Sequence, residues 1–141
     1  MNMEVVFPGG KRVDAIYKDF TIKTDQPLSS GGKGTYPSPF DLFLASIGTC
    51  VGFYVLSFCQ QRNIPAENIR LKINIERDKN TRMVKNININ IVLPSDFPGK
   101  YEKAVVRAAE QCTVKKHLLN PPAINIKTEM KKEEELESLY E

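Results

Sequence analysis

A single histidine and three cysteines are the only imidazole and thiol groups in this chain. His117 has no second imidazole at ligand spacing, so a zinc-type centre has no support and His117 reads as a surface residue. Three is an odd count, which argues against a disulfide scaffold and for a reducing cytoplasm. No run of positive charge exceeds two residues, as at Lys115-Lys116, and no basic stripe carries interleaved aromatics. The net charge of +3 therefore does not make a nucleic-acid surface. Gly31-Gly32-Lys33-Gly34-Thr35 has the look of a phosphate loop but lacks the G-x-x-x-x-G-K-[ST] spacing. Met1 leads straight into an alternating segment, with no basic n-region, apolar h-region or cleavage site, so the chain reads as a form that is not secreted. There are no internal repeats.

What the chain does have is an ordinary globular balance, 41% hydrophobic and 26% charged over 141 residues. That length suits one domain burying roughly 68–70% of its unfolded surface. Charge is unevenly placed: Lys131–Glu141 carries a net −3, leaving +6 on residues 1–130. We therefore expect a domain over 1–130 and a charged tail over 131–141. The 18 residues from Leu42 to Cys59 contain no charge at all, which reaches the length of a membrane span. Ser46, Gly48, Thr49, Gly52 and Ser57 interrupt the run, and strand-like segments flank it on both sides. A core helix without membrane insertion is the better reading.

Short strands are expected at Met3–Phe7, Val13–Tyr17 and Phe20–Thr24, joined by Pro8-Gly9-Gly10 and Lys18-Asp19. A Gly-, Ser- and Pro-rich loop, Gln26–Tyr36, follows. Ser38 is an N-cap, Pro39 takes the first helical position and Asp41 is the N3 acid of a capping box, so a long helix runs to about Arg62. Leu71, Ile73 and Ile75, then Ile87, Ile89, Ile91 and Leu93, alternate with mostly polar residues around a turn at Asp78–Thr81. Such alternation predicts antiparallel strands with one buried face. Val105, Ala108, Ala109 and Cys112 fall at i, i+3, i+4 and i+7 of a second helix. Ile124, Ile126 and Thr128 predict a last short strand. The order β-β-β-α-β-β-α-β is that of an α+β domain with antiparallel sheets. The long helix is apolar on all sides and needs covering on all sides, which predicts a homodimer.

Cys50 and Cys59 are nine residues apart on one helix, about 900° of rotation, and so point to opposite sides. Cys59 near the helix end reads as structural. Any redox pair is Cys50 with Cys112, against the plain alternative of two buried structural thiols. Cys50 sits some twelve residues inside its helix, beyond reach of that helix's own dipole. Burial raises a thiol pKa, so a reactive Cys50 requires a cation from elsewhere in the fold or from a second chain.

At these residues the chain resembles the OsmC/Ohr family of peroxide-resistance proteins. Pro39-Phe40-Asp41-Leu42-Phe43-Leu44-Ala45-Ser46-Ile47-Gly48-Thr49-Cys50 is similar to that family's P-x-E-L-L-L-A-S-L-G-x-C signature. Cys112-Thr113-Val114-Lys115-Lys116 resembles its second motif, C-P-V-S-K-x-L, and the spacing of roughly sixty residues agrees. The resemblance covers about residues 1–130. It implies an intertwined homodimer with two central helices between sheets and active sites at the interface. It further implies reduction of hydroperoxides, organic ones especially, with Cys50 as the peroxidatic thiolate and Cys112 as the resolving thiol that forms an intramolecular disulfide. An external dithiol would reduce that disulfide, and no cofactor is required.

The resemblance also implies an activating arginine after a Gly-Gly pair. Here Gly9-Gly10 is followed by Lys11 and then Arg12; Arg12 is the candidate because a guanidinium stays charged when buried, although Lys11 holds the literal position. The dedicated organic-hydroperoxide branch has a glutamate where this chain has Phe40. Asp41 instead matches the acid of the broader OsmC-like group, and serves either the site or only the helix cap. Phe43, Ile47, Phe53 and Tyr54 share the Cys50 side of the helix and are candidates for an apolar substrate pocket. A non-catalytic OsmC-like dimer binding a small apolar ligand is the alternative function.

Overall fold

The computed structural model describes residues 1–132, so the charged tail lies outside the described residues apart from Lys131 and Lys132. β1 (Glu4–Gly9), β2 (Arg12–Tyr17) and β3 (Phe20–Thr24) form an antiparallel meander in that order. Its turns lie at Gly10-Lys11 and Lys18-Asp19; β1 runs on through Pro8 and Gly9, which the sequence had assigned to the connection. The loop that follows wraps the buried carboxylate of Asp25. Thr35 donates to it through its N–H (3.2 Å) and its hydroxyl (2.8 Å), and Gln26 N–H donates at 2.8 Å. The glycine-rich stretch is thus a bend around a protein carboxylate.

The Thr35 hydroxyl, ahead of the Gln26 N–H, holds the Asp25 carboxyl below its ordinary range, against the upward push of burial. A depressed folded pKa stabilises the fold above the ordinary carboxylate value of about 4, and that contribution is lost as pH falls through the folded value. Wild type is therefore expected to exceed Asp25→Asn in stability at neutral pH, with the gap closing in acid. Urea unfolding of both proteins across that range measures it.

α1 (Pro39–Gln61) begins in the expected capping box: Ser38 Oγ accepts from Asp41 N–H at 3.1 Å and Asp41 Oδ2 accepts from Ser38 N–H at 2.9 Å. β4 (Arg70–Arg77) and β5 (Val84–Val92) pair antiparallel, with Leu71 opposite Ile91, Ile73 opposite Ile89 and Ile75 opposite Ile87. Their other face is wet. There Asn88 Nδ2 donates to Asn74 and Glu76, and Asn86 Nδ2 donates to Glu76, each at 3.1 Å.

α1 packs on β4, α2 (Glu102–Ala109) and α3 (Thr113–Leu119). Ile47, Val51, Val55, Phe58 and Cys59 form its buried stripe, meeting Ile69, Phe97, Val105, Ala109 and Cys112. Burying each larger aliphatic side chain contributes about 1.5–3 kcal/mol. The helix, apolar all round, is covered on this stripe only: Phe40, Phe53 and Leu56 remain exposed.

Two sequence expectations change. The second helix is two helices. After Ala109 the hydrogen bonds tighten, Gln111 N–H to Ala108 O and Cys112 N–H to Ala109 O, and the chain turns. Cys112 leaves helical geometry (φ −46°, ψ 119°) and becomes the N-cap of α3. Apolar spacing correctly identified its inward side, since Cys112 is fully buried, but spacing reports a face and says nothing of a break. The strand expected at Ile124–Thr128 is absent: residues 121–132 hold no regular structure, and Ile124 and Ile126 are 83% and 93% exposed. Alternation shows that a segment has two faces; a strand also needs a neighbouring edge, and this segment meets none among the described residues.

Candidate active site

Cys50, half-buried on α1, and Cys112, buried at the head of α3, are both free thiols. They share one hydrogen-bonded cluster. The Val114 N–H, the Cys112 thiol and the Thr113 N–H all act to favour the Cys50 thiolate. Lys115 N–H donates to Cys112 Sγ at 3.3 Å. The first N–H groups of a helix have no partner within it, which leaves these donors free for sulfur.

The two thiols are driven apart in acidity. Burial pushes Cys50 up, but the Val114 N–H, the Cys112 thiol and the Thr113 N–H together outweigh it and leave Cys50 below the ordinary thiol value. Burial pushes Cys112 up as well; there the Lys115 N–H compensates only in part, and the adjacent Cys50 raises it further. Cys50 is therefore the more acidic of the two thiols. Within this chain, hydrogen bonds that favour the charged form are what lower the Cys50 thiol.

Cys59 is buried away from the pair, with its thiol pushed up by burial and partly restored by Arg62. Arg12 lies on β2, bound to Asp14 at 2.8 Å and stacked over the Tyr36 ring at 4.7 Å. Among the described residues no hydrogen bond or ion pair joins it to a cysteine or to Asp41, and its buried Nε lacks a partner. Lys11 is exposed, its Cε lying against Gly31. Asp41 caps α1 through Ser38.

Phe43 and Ile47 line an apolar cavity of about 1020 Å³, together with Val51, Ile89 and Val105. Phe53 and Tyr54 stand outside it, stacked edge to face at 5.3 Å. Neither Cys50 nor Cys112 lines it. The sequence pattern did not reveal two contacts at α3: Tyr54 Oη lies 3.0 Å from Thr113 Oγ1, and His117 Nδ1 lies 2.7 Å from the Thr113 carbonyl. A carbonyl only accepts, so Nδ1 carries the proton. A cysteine followed by Thr-Val-Lys can be read as an N-cap in the manner of Ser or Asp, and that signal was available.

Residues 32–127, more than half the chain and including both cysteines, match the OsmC-like protein family. The chain belongs to this family. An uncharacterized protein of Methanocaldococcus jannaschii is 31% identical over 115 residues, covering 74% of this chain and 60% of the relative. The chain thus spans about three fifths of the length of that curated relative. A protein of Psychrobacter arcticus named for osmotic stress and detoxification response superposes with a TM-score of 0.71 at 24% identity, over 82% of this chain and 86% of that one. An organic hydroperoxide resistance protein of Bacillus subtilis superposes with a TM-score of 0.51 at 21% identity, over 83% and 90%. At these identities the two structures establish the shared OsmC-like α+β fold. Within that fold α1 is the core helix, although its length and composition alone would suit a membrane span.

Proposed function

We propose that this OsmC-like protein reduces organic hydroperoxides through Cys50 and Cys112. What carries the reading is a pair of free thiols, Cys50 on α1 and Cys112 at the head of α3, whose acidities diverge, Cys50 lowered and Cys112 raised. The Cys50 thiolate attacks the distal peroxide oxygen. The O–O bond breaks, an alkoxide leaves and takes up a proton as the alcohol, and Cys50 becomes a sulfenic acid. The Cys112 sulfur then displaces water from that acid to form the disulfide, and an external dithiol restores both thiols by exchange.

The exposed apolar flank of α1 and the exposed strand β1 support an intertwined homodimer, and the free thiols suit a reducing cytoplasm. In that dimer Arg12, whose buried Nε has no partner among the described residues, would offer a guanidinium to the assembled site. Intact mass before and after one equivalent of cumene hydroperoxide tests the chemistry: a loss of about 2 Da, mapped to a Cys50–Cys112 linkage, is expected. An unchanged mass would overturn it.

The cavity of about 1020 Å³, with neither Cys50 nor Cys112 in its wall, favours one second reading, a non-catalytic dimer that holds a small apolar ligand. Saturable binding of a lipophilic probe by protein whose thiols ignore hydroperoxide would establish that reading instead.

A further inference from the structure

Thr113 is held at two points. Its carbonyl accepts from His117 Nδ1 at 2.7 Å and its hydroxyl meets Tyr54 Oη at 3.0 Å, while its N–H is one of the groups that lower the Cys50 thiol. Tyr54 lies four residues after Cys50 on α1, so the two side chains stand one above the other on a single face. The Tyr54 ring is fixed from the side by Phe53. A hydroxyl on α1 thus grips the same residue whose backbone serves the sulfur one turn earlier.

We infer that Tyr54 is a positioning residue, whose bond to Thr113 holds the first turn of α3 against α1 so that the Thr113 and Val114 N–H groups stay on Cys50. This rests on Cys50 being the attacking thiolate and adds the group that keeps it so. The physical reason is length. α3 has seven residues, too few to be stable by its own hydrogen bonds, and its register over the sulfur depends on tertiary ties. Lys115 anchors the turn to Cys112, and Tyr54 anchors it to α1. If the second anchor is lost, the N–H groups spend part of their time away from Cys50 and its proton is held more tightly.

The experiment is the pH profile of Cys50 alkylation by iodoacetamide, read on the Cys50 peptide by mass from about pH 5 to about pH 9 in the full-length protein. Tyr54→Phe keeps the ring and removes only the hydroxyl. One net hydrogen bond corresponds to roughly a two- to tenfold loss of thiolate at neutral pH, a shift of the profile to higher pH. Thr113→Val is expected to give the same shift, the double variant no more than either alone, and Thr113→Ser to restore the wild-type profile. A Tyr54→Phe profile superposing on wild type would overturn the inference, as would additive shifts or a lowered melting temperature with an unmoved profile. The titration uses no peroxide, so failure of the peroxidase reading leaves its result legible.

Discussion

Cys50→Ser is expected to reduce hydroperoxide consumption by roughly three orders of magnitude or more, to background, while leaving the melting temperature close to that of wild type. A hydroxyl at this position meets the same Val114 and Thr113 N–H groups, but its pKa lies far above neutrality and it attacks no O–O bond at a useful rate. Cys50 is only half-buried and fills no part of the buried stripe of α1, so the loss of one polarisable atom there is mild. Cys112→Ser is expected to behave differently. The serine still caps α3, as serine commonly does, and the first oxidation still occurs. No thiol remains to condense with the sulfenic acid, which accumulates and proceeds to higher oxides. Initial-rate assays with cumene hydroperoxide, with mass spectra of the oxidised protein, separate the two phenotypes. Full turnover by Cys50→Ser would end the peroxidase assignment.

The largest expected effect on stability lies far from sulfur, at Gly32. A Cβ there would stand 1.9 Å from the carbonyl oxygen of Gln26 and 2.5 Å from its carbon. Both are backbone atoms, so no rotamer change relieves the overlap, and the loop around Asp25 must open. Gly32→Ala is expected to lower stability by about 3 kcal/mol. Gly48 is an instructive contrast. Its added Cβ would meet Ile73 Cδ1 at 2.3 Å, a nominally severe clash, but with the tip of a side chain that is 37% exposed and free to swing. About 1 kcal/mol is expected for Gly48→Ala, at the low end of overpacking. Chemical denaturation of both variants measures the difference, and a larger loss at Gly48 would contradict the distinction between backbone and side-chain obstruction.

Particular elements show where sequence reasoning succeeds. The start of α1 was legible because a capping box is written in four consecutive residues, Ser38 to Asp41, and needs no distant partner. The β4–β5 hairpin was legible because strict alternation over Leu71–Ile75 and Ile87–Leu93 admits one buried face and because Asp78 supplies the turn. The break between α2 and α3 was not legible, because Val105, Ala108, Ala109 and Cys112 satisfy helical spacing whether or not the chain stays helical. Ile124–Thr128 was misread for the complementary reason, that alternation carries no information about an available edge.

By itself the sequence determined the long uncharged helix and its cap and the two-faced hairpin, since each follows from neighbours a few residues apart. Tertiary structure alone decided which sulfur is the more acidic. That choice depends on N–H groups some sixty residues from Cys50 being turned onto it by a break in the chain, and hydrogen bonds act through a few ångströms of space whatever the distance along the backbone.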